Sequence, residues 1–263
     1  MESDTTWLRA TRPDRRLGRA IEAHASIGST NDRARGLLAQ PDADGLVVVA
    51  DEQTAGRGRR GRSWHSPAGR SLAASIVLQP RLAAADAWVL PLAAALAVSA
   101  ACEPVAVVRL KWPNDVTDER GRKLGGILIE TVIADDRLCG AIIGVGLNTD
   151  WVGADVPADI RDRSTSLAEV SRRPVDRVAL LDRLLDALSD EMERVERGEW
   201  PLERYRLRCA TVGMAVRVAT ETETITGRAV DLGAQGELVV EWDGRRSELS
   251  SGEVVELRGA SGS

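Results

Sequence analysis

Five short stretches hold most of the chemistry this sequence can offer. The first is Gly56-Arg57-Gly58-Arg59-Arg60-Gly61-Arg62, followed by Trp64. Glycine lets backbone N–H groups approach a ligand closely, and each guanidinium presents paired donors to phosphate oxygens. A pliable cationic loop over residues 54–63 therefore suits a polyphosphate clamp, although the spacing is not that of a Walker loop. A solvated basic loop and an RGG-like nucleic-acid patch compete with this reading, but the position between two apolar runs favours a substrate loop. The second stretch is Lys111-Trp112-Pro113-Asn114-Asp115. Pro113 ends a strand and leaves Asn114 and Asp115 at its tip. Asp115 can hold Mg²⁺ by a carboxylate oxygen while Asn114 lends a carbonyl, and Lys111 can meet phosphate. A plain Asn-Asp turn is the alternative. The third stretch, Lys123-Leu124-Gly125-Gly126, puts an ammonium at a strand entrance, where it can reach a carboxylate or an acyl phosphate; a surface turn is the alternative. In the fourth, Gly144-Val145-Gly146-Leu147-Asn148, glycines within a strand signal close approach, and Asn148 can donate and accept at an adenine edge. The fifth, Ser29-Thr30-Asn31 together with Gln53, supplies neutral donors and acceptors for a polar, uncharged head group, although Ser29 and Thr30 also read as helix caps.

Composition sharpens these readings. Of the 35 basic residues only Lys111 and Lys123 are lysine, and the only asparagines are Asn31, Asn114 and Asn148. Ammonium and guanidinium differ chemically, so two lysines this close together in an arginine-rich chain point to a site that needs a compact charge. A net charge of -5 argues against a surface built to grip nucleic acid. The three cysteines, Cys102, Cys139 and Cys209, show no disulfide or zinc spacing and fit a reducing cytosol. His24 and His65 are the only histidines, which leaves nucleophilic and histidine-metal chemistry unsupported. The polar N-terminus lacks a signal-peptide core, and the longest apolar stretch, residues 88–102, is broken by Pro91 and too short to span a membrane.

The elements that must position these residues form an α+β pattern. Strands are predicted at 20–27, 45–50, 71–79 and 106–110, with a strand pair at 126–130 and 138–147. Helices are predicted at 30–40 and 84–102, and a strongly amphipathic one at 175–198 carries leucines 180, 181, 184, 185 and 188. A short helix is expected within 199–209. Beyond residue 210 the texture changes to short alternating strands at 215–219, 224–231 and 237–242 with Gly233, Gly236 and Asp243-Gly244 between them, which suggests a small SH3-like barrel. The expected division is a polar arm (1–18), a main domain (19–209), a small β domain (210–258) and a tail (259–263).

In this order, Ser-Thr-Asn, the glycine-arginine loop with Trp64, Lys-Trp-Pro-Asn-Asp, Lys-Leu-Gly-Gly-Ile-Leu and Gly-Val-Gly-Leu-Asn resemble the bacterial biotin protein ligases over residues 20–258. The resemblance implies a catalytic domain like the class II aminoacyl-tRNA synthetases, a mixed β-sheet with helices, joined to an SH3-like C-terminal domain. It implies formation of biotinyl-5′-adenylate from biotin and ATP, then transfer of biotin to a lysine of a biotin carboxyl carrier protein. By motif position it assigns biotin contacts to Ser29, Thr30, Asn31, Gln53, Gly56, Arg57, Lys123, Gly126 and Gly144. It assigns ATP or adenylate contacts to Arg57, Arg59, Arg60, Arg62, Trp64, Asn114 and Asn148. Catalytic roles fall to Lys123, Arg57, Lys111 and Asp115, and Asp115 with Asn114 would face Mg²⁺. Twenty-eight residues precede the Ser-Thr-Asn motif, too few for the helix-turn-helix domain of the family's repressors, so no DNA partner is expected. The expected protein is cytoplasmic, a monomer or homodimer. A lipoate-type or other acyl-adenylating ligase is the nearest alternative.

Overall fold

A computed structural model describes Trp7 and residues 10–151, 156–220 and 223–256. The first two strands, β1 (Ala20–Ile27) and β2 (Leu46–Gln53), run parallel. A parallel pair needs a crossover rather than a tight turn, and the crossover here carries α1 (Thr30–Leu37). Ser29 caps that helix, its hydroxyl accepting the Asp32 N–H at 3.4 Å. The helix ends at Leu37, short of the expected residue 40.

Next comes β3 (Ser71–Leu78), buried at every position. A strand covered on both faces loses its apolar–polar alternation. On one face lie Ala34 and Leu37 of α1, packed with Val48, Val77 and Ile142. On the other face lies the main core, dominated by α2 (Val89–Cys102) and, later in the chain, α4 (Arg177–Glu196). The helix expected to begin at 84 begins at Val89, preceded by a 3₁₀ turn at Ala84–Asp86. Pro91 explains the shift: it has no N–H, so it fits only the first turn, whose donors have no intrahelical partner.

Short strands β4 (Arg109–Lys111) and β5 (Asp115–Thr117) flank the Trp112–Pro113 peptide, which is cis. A long hairpin follows, β6 (Lys123–Ala134) with β7 (Arg137–Asn148), well beyond the expected ranges. Its tip, Asp135-Asp136, has φ of 50° and 57°, the primed turn that matches strand twist. The seven-stranded order is β1-β2-β3-β7-β6-β5-β4. Helix α3 (Leu167–Ser171) is capped by Ser166, and α4 by Asp176, whose carboxylate accepts from Val178 and Ala179. All five leucines of the α4 pattern are buried. A short α5 (Leu202–Arg206) leads to the second sheet.

That sheet is β8 (Ala215–Ala219), β9 (Thr224–Leu232), β10 (Leu238–Trp242), β11 (Arg245–Leu249) and β12 (Glu253–Glu256). It is antiparallel in the order β11-β10-β9-β8-β12. Trp112 joins the sheets: its indole N–H donates to Gly236 O at 2.9 Å and its backbone N–H to Thr211 Oγ1 at 3.0 Å.

The segment read as a polar arm is only partly polar in its packing. Trp7, Ala10 and Leu17 are buried in the main core. Arg12 is held by Asp182 and Asp186 of α4, and Arg177 lies 5.0 Å over the Trp7 ring. Three scattered apolar residues give no periodic signal, which is why they escaped the pattern reading. Positions 257–263, including the expected tail, lie outside the described residues. Among the described residues, no helix is long and apolar enough to cross a membrane.

Candidate functional site

One cleft of about 870 Å³ opens where the ends of β2, β6 and β7 meet the glycine-arginine loop and the second sheet. It gathers Ser29, Thr30, Asn31, Gln53, Arg57, Arg59, Arg62, Trp64, Lys111, Asn114, Asp115, Lys123, Gly126, Gly144 and Asn148 from positions far apart in sequence. Two proposed contacts lie off its wall. Gly56 sits behind it, its carbonyl accepting the Trp64 N–H at 2.8 Å, and a Cβ there would stand 2.5 Å from Trp64 O. Arg60 turns away in a left-handed conformation (φ 57°) and donates to Ala219 O at 3.2 Å in the second sheet.

One end of the cleft is neutral and hydrogen-bonded. Gln53 Oε1 accepts from the Thr30 N–H at 2.8 Å and the Thr30 hydroxyl at 3.0 Å. Thr30 Oγ1 lies 2.8 Å from Ser75 Oγ, which donates to Asn31 Oδ1 at 2.6 Å. Asn31 Nδ2 donates to Glu130 at 3.0 Å. Gly144 faces this group so closely that a Cβ would lie 2.1 Å from Asn31 Oδ1. Asn31 is thus committed to holding the pocket together, with both ends of its amide occupied. Ser29 likewise serves as the helix cap.

The other end is cationic. Lys123 Nζ donates to Asp115 Oδ1 at 2.6 Å and lies 5.8 Å from the Trp64 ring centroid. Trp64 packs on Gly146, where a Cβ would meet the indole at 2.6 Å. Arg59 reaches in with Nη1 3.3 Å from Asn114 Oδ1. Burial first, then the charge of Arg60 and, more weakly, Arg62, push the Arg59 guanidinium below its ordinary value, against the pull of Asp115. An arginine so placed gains from an anion beside it. Lys111 lines the same space.

The loop itself is folded back: Gly58 N–H donates to Arg62 O at 2.7 Å, and Arg57 bridges Ser63. Arg62 pairs with Glu253 of the second sheet at 2.9 Å. Arg57 is gripped by Asp32 at 2.6 Å and by Glu130 at 3.1 Å.

One expectation changes. Asn148 cannot both donate to and accept from a base, because its Nδ2 is spent on Lys123 O and Thr165 O; only Oδ1, buried and unpartnered, is left. Asp115 and Asn114 do not form a ready metal cage: Asp115 is paired with Lys123, Asn114 bridges Arg59 and Ile127 O, and no cluster of three acidic, His or Cys ligands occurs among the described residues. One carboxylate beside one amide oxygen fits an ion that keeps most of its ligands from phosphate and water, as Mg²⁺ does.

Sequence reading missed Glu130, Asp32, Ser75 and the contribution of Gly252, Glu253, Val254 and Val255 to the cleft. Only Ser75 had a signal, a hydroxyl inside an otherwise apolar buried strand that must find a partner.

Comparison with known proteins places the chain in a family. Residues 24–148 match the Biotin/lipoate A/B protein ligase family, and residues 211–255 the Biotin protein ligase C terminal domain. The biotin–[acetyl-CoA-carboxylase] ligase of Mycobacterium tuberculosis is 36% identical over 249 residues, covering 91% of this chain and 90% of that protein. The bifunctional ligase/repressor BirA of Bacillus subtilis is 31% identical over 245 residues, 90% of this chain and 74% of that one. The Aquifex aeolicus biotin protein ligase in complex with biotin and ATP superposes with a TM-score of 0.76 at 30% identity, covering 91% and 99% of the two chains. With a ligase catalytic domain and its C-terminal domain both matched along one chain, this protein belongs to the biotin protein ligase family.

Proposed function

We propose that the cleft joins biotin to ATP and passes the biotinyl group to a carrier-protein lysine. The observation that carries this is the contiguity of a neutral hydrogen-bonding pocket with a cationic wall. Biotin has the matching form, an uncharged cyclic urea at one end and a carboxylate at the other. Thr30, Gln53 and Ser29 meet the urea, with Asn31 and Gly144 shaping the floor. Gly126 lies beside the same lysine, its Cβ position 3.5 Å from Lys123 Nζ, an ordinary contact distance.

In the first step the biotin carboxylate attacks the α-phosphorus of ATP. A carbon-oxygen-phosphorus anhydride forms, the bond to the β-phosphate breaks, and pyrophosphate leaves. Two anions must approach, so Lys123, Lys111, Arg57, Arg59 and Arg62 offset the repulsion and stabilise charge developing on phosphate. Mg²⁺ carried on the nucleotide would meet Asp115 and Asn114 and neutralise part of the same charge. Trp64 covers the nucleotide base and Asn148 Oδ1 accepts from it. In the second step the carrier lysine amine attacks the acyl carbon and AMP leaves. The intermediate anhydride is destroyed by water, which gives the folded-back arginine loop its purpose as a cover. The ATP requirement and the free cysteines support a cytoplasmic location.

The test is incubation with biotin, MgATP and a carrier domain, read by the mass of that carrier. One biotinyl increment is expected, absent when lipoate replaces biotin. Lipoyl transfer in its place would overturn the reading.

A further inference from the structure

Glu130 does not line the cleft, yet it holds two residues that do, Asn31 and Arg57. Its side chain is 17% exposed. It accepts from Asn31 Nδ2 at 3.0 Å, pairs with Arg35, and receives Arg57 Nη2 at 3.1 and 3.2 Å. Asp32 stands 2.6 Å from the same Arg57 nitrogen. Arg57 Nε and Nη1 make no hydrogen bond to protein among the described residues. The guanidinium is therefore tethered by one nitrogen, with its other donors left for a ligand in the cleft it lines.

Glu130 also ends a continuous chain. From Gln53 the contacts run through Thr30, Ser75 and Asn31 to Glu130 and then to Arg57. Gln53 and Arg57 are only four residues apart in sequence, so the hydrogen-bonded route and the covalent one close a ring. Asp32 alone would be a weak anchor, since an ion pair at an acid 59% exposed contributes little.

We propose that Glu130 is a positioning residue of this ligase, fixing the loop arginine Arg57 against the hydrogen-bonded floor of the biotin pocket and so holding the loop over the cleft. Its role in catalysis rests on the biotin-ligase reading; its grip on the loop does not. Without the Glu130 charge, Asn31 keeps an acceptor if glutamine stands there, but Arg57 loses its better-buried partner and the loop opens more often.

The test is a double-mutant cycle of Glu130→Gln and Arg57→Gln on the full chain. Without substrates, trypsin cleavage after Arg59, Arg60 and Arg62 is followed by mass spectrometry. Each single variant is expected to be cut about tenfold faster, the size of a lost charge-assisted bond. The double variant is expected to be cut no faster than the quicker single, because the two side chains act as one unit. With biotin, MgATP and a bystander protein, Glu130→Gln is expected to raise bystander labelling severalfold while the KM for biotin stays within about twofold, a split that general loosening of the fold would not give. Wild-type cleavage in Glu130→Gln, additive effects in the cycle, or reduced bystander labelling would each overturn the proposal. Should Glu130→Gln fail to fold, Arg57→Gln alone decides: faster cleavage is expected, and wild-type cleavage in that variant would overturn the proposal. If the unaltered chain labels no carrier, the ligase reading fails, while the cleavage cycle still decides the role of Glu130 in the loop.

Discussion

Replacing Gly144 by alanine probes how firmly the head-group pocket is built. The added methyl carbon would stand 2.1 Å from Asn31 Oδ1, 2.8 Å from its Cγ and 3.0 Å from its Nδ2. Rotating the amide does not relieve this, because the whole group is in the way. Nor can the side chain swing free, since Ser75 and Glu130 hold its two ends and the residue is 5% exposed. Overpacking of this kind costs about 1–3 kcal/mol. A buried amide stripped of its partners costs about 1–3 kcal/mol more. Alanine's smaller unfolded-state freedom returns roughly 0.5–1 kcal/mol. The expected loss is thus about 3 kcal/mol, read as a lower urea midpoint at unchanged slope, together with at least tenfold weaker biotin binding by calorimetry. Gly126→Ala is the matched control. Its methyl would meet only Lys123 and Asp115 at 3.5 to 3.7 Å, ordinary contact, so stability should stay within about 0.5 kcal/mol. A Gly144→Ala protein that unfolds at the wild-type urea concentration and binds biotin normally would refute the claim that Asn31 is pinned.

Three further outcomes are expected. Lys123→Ala should stay folded, since its side chain is 37% exposed, but lose about 10²- to 10³-fold in pyrophosphate release from biotin and ATP; a loss below tenfold would count against its role. Trp112→Phe removes the indole bond to Gly236 O and should lower stability by about 1–3 kcal/mol in urea unfolding, with the second sheet becoming protease-sensitive first. Iodoacetamide at pH 8 should modify only Cys139 in the native protein. Burial pushes the Cys102 thiol up to about 12 and also raises Cys209, so both stay protonated and unreactive until the chain unfolds, when three alkyl groups should be counted by mass.

The glycine-rich and lysine-bearing motifs were legible because their chemistry is local. Lys123 and Gly126 sit within a few residues of each other, and strand glycines announce a close neighbour before that neighbour is known. The leucines of α4 were legible for the same reason, a period contained in one element. What could not be read were partners supplied by the fold. Glu130 meets Asn31 and Arg57 only because β6 passes beside α1 and the loop. Asn148 looks free in sequence, yet its donors are consumed by carbonyls of Lys123 and Thr165. Trp7 was lost among charged neighbours because one buried ring makes no pattern. The start of α2 depended on a single proline in its first turn.

Arg60 and Arg62 fasten the arginine loop to Ala219 and Glu253, so the loop bordering the cleft is latched to the second sheet, whose residues 252–255 line the same cleft. Any protein that nudges the small sheet while docking at the cleft mouth therefore pulls on the latch. A recipient protein that docked there would thereby tie its own arrival to movement of the loop.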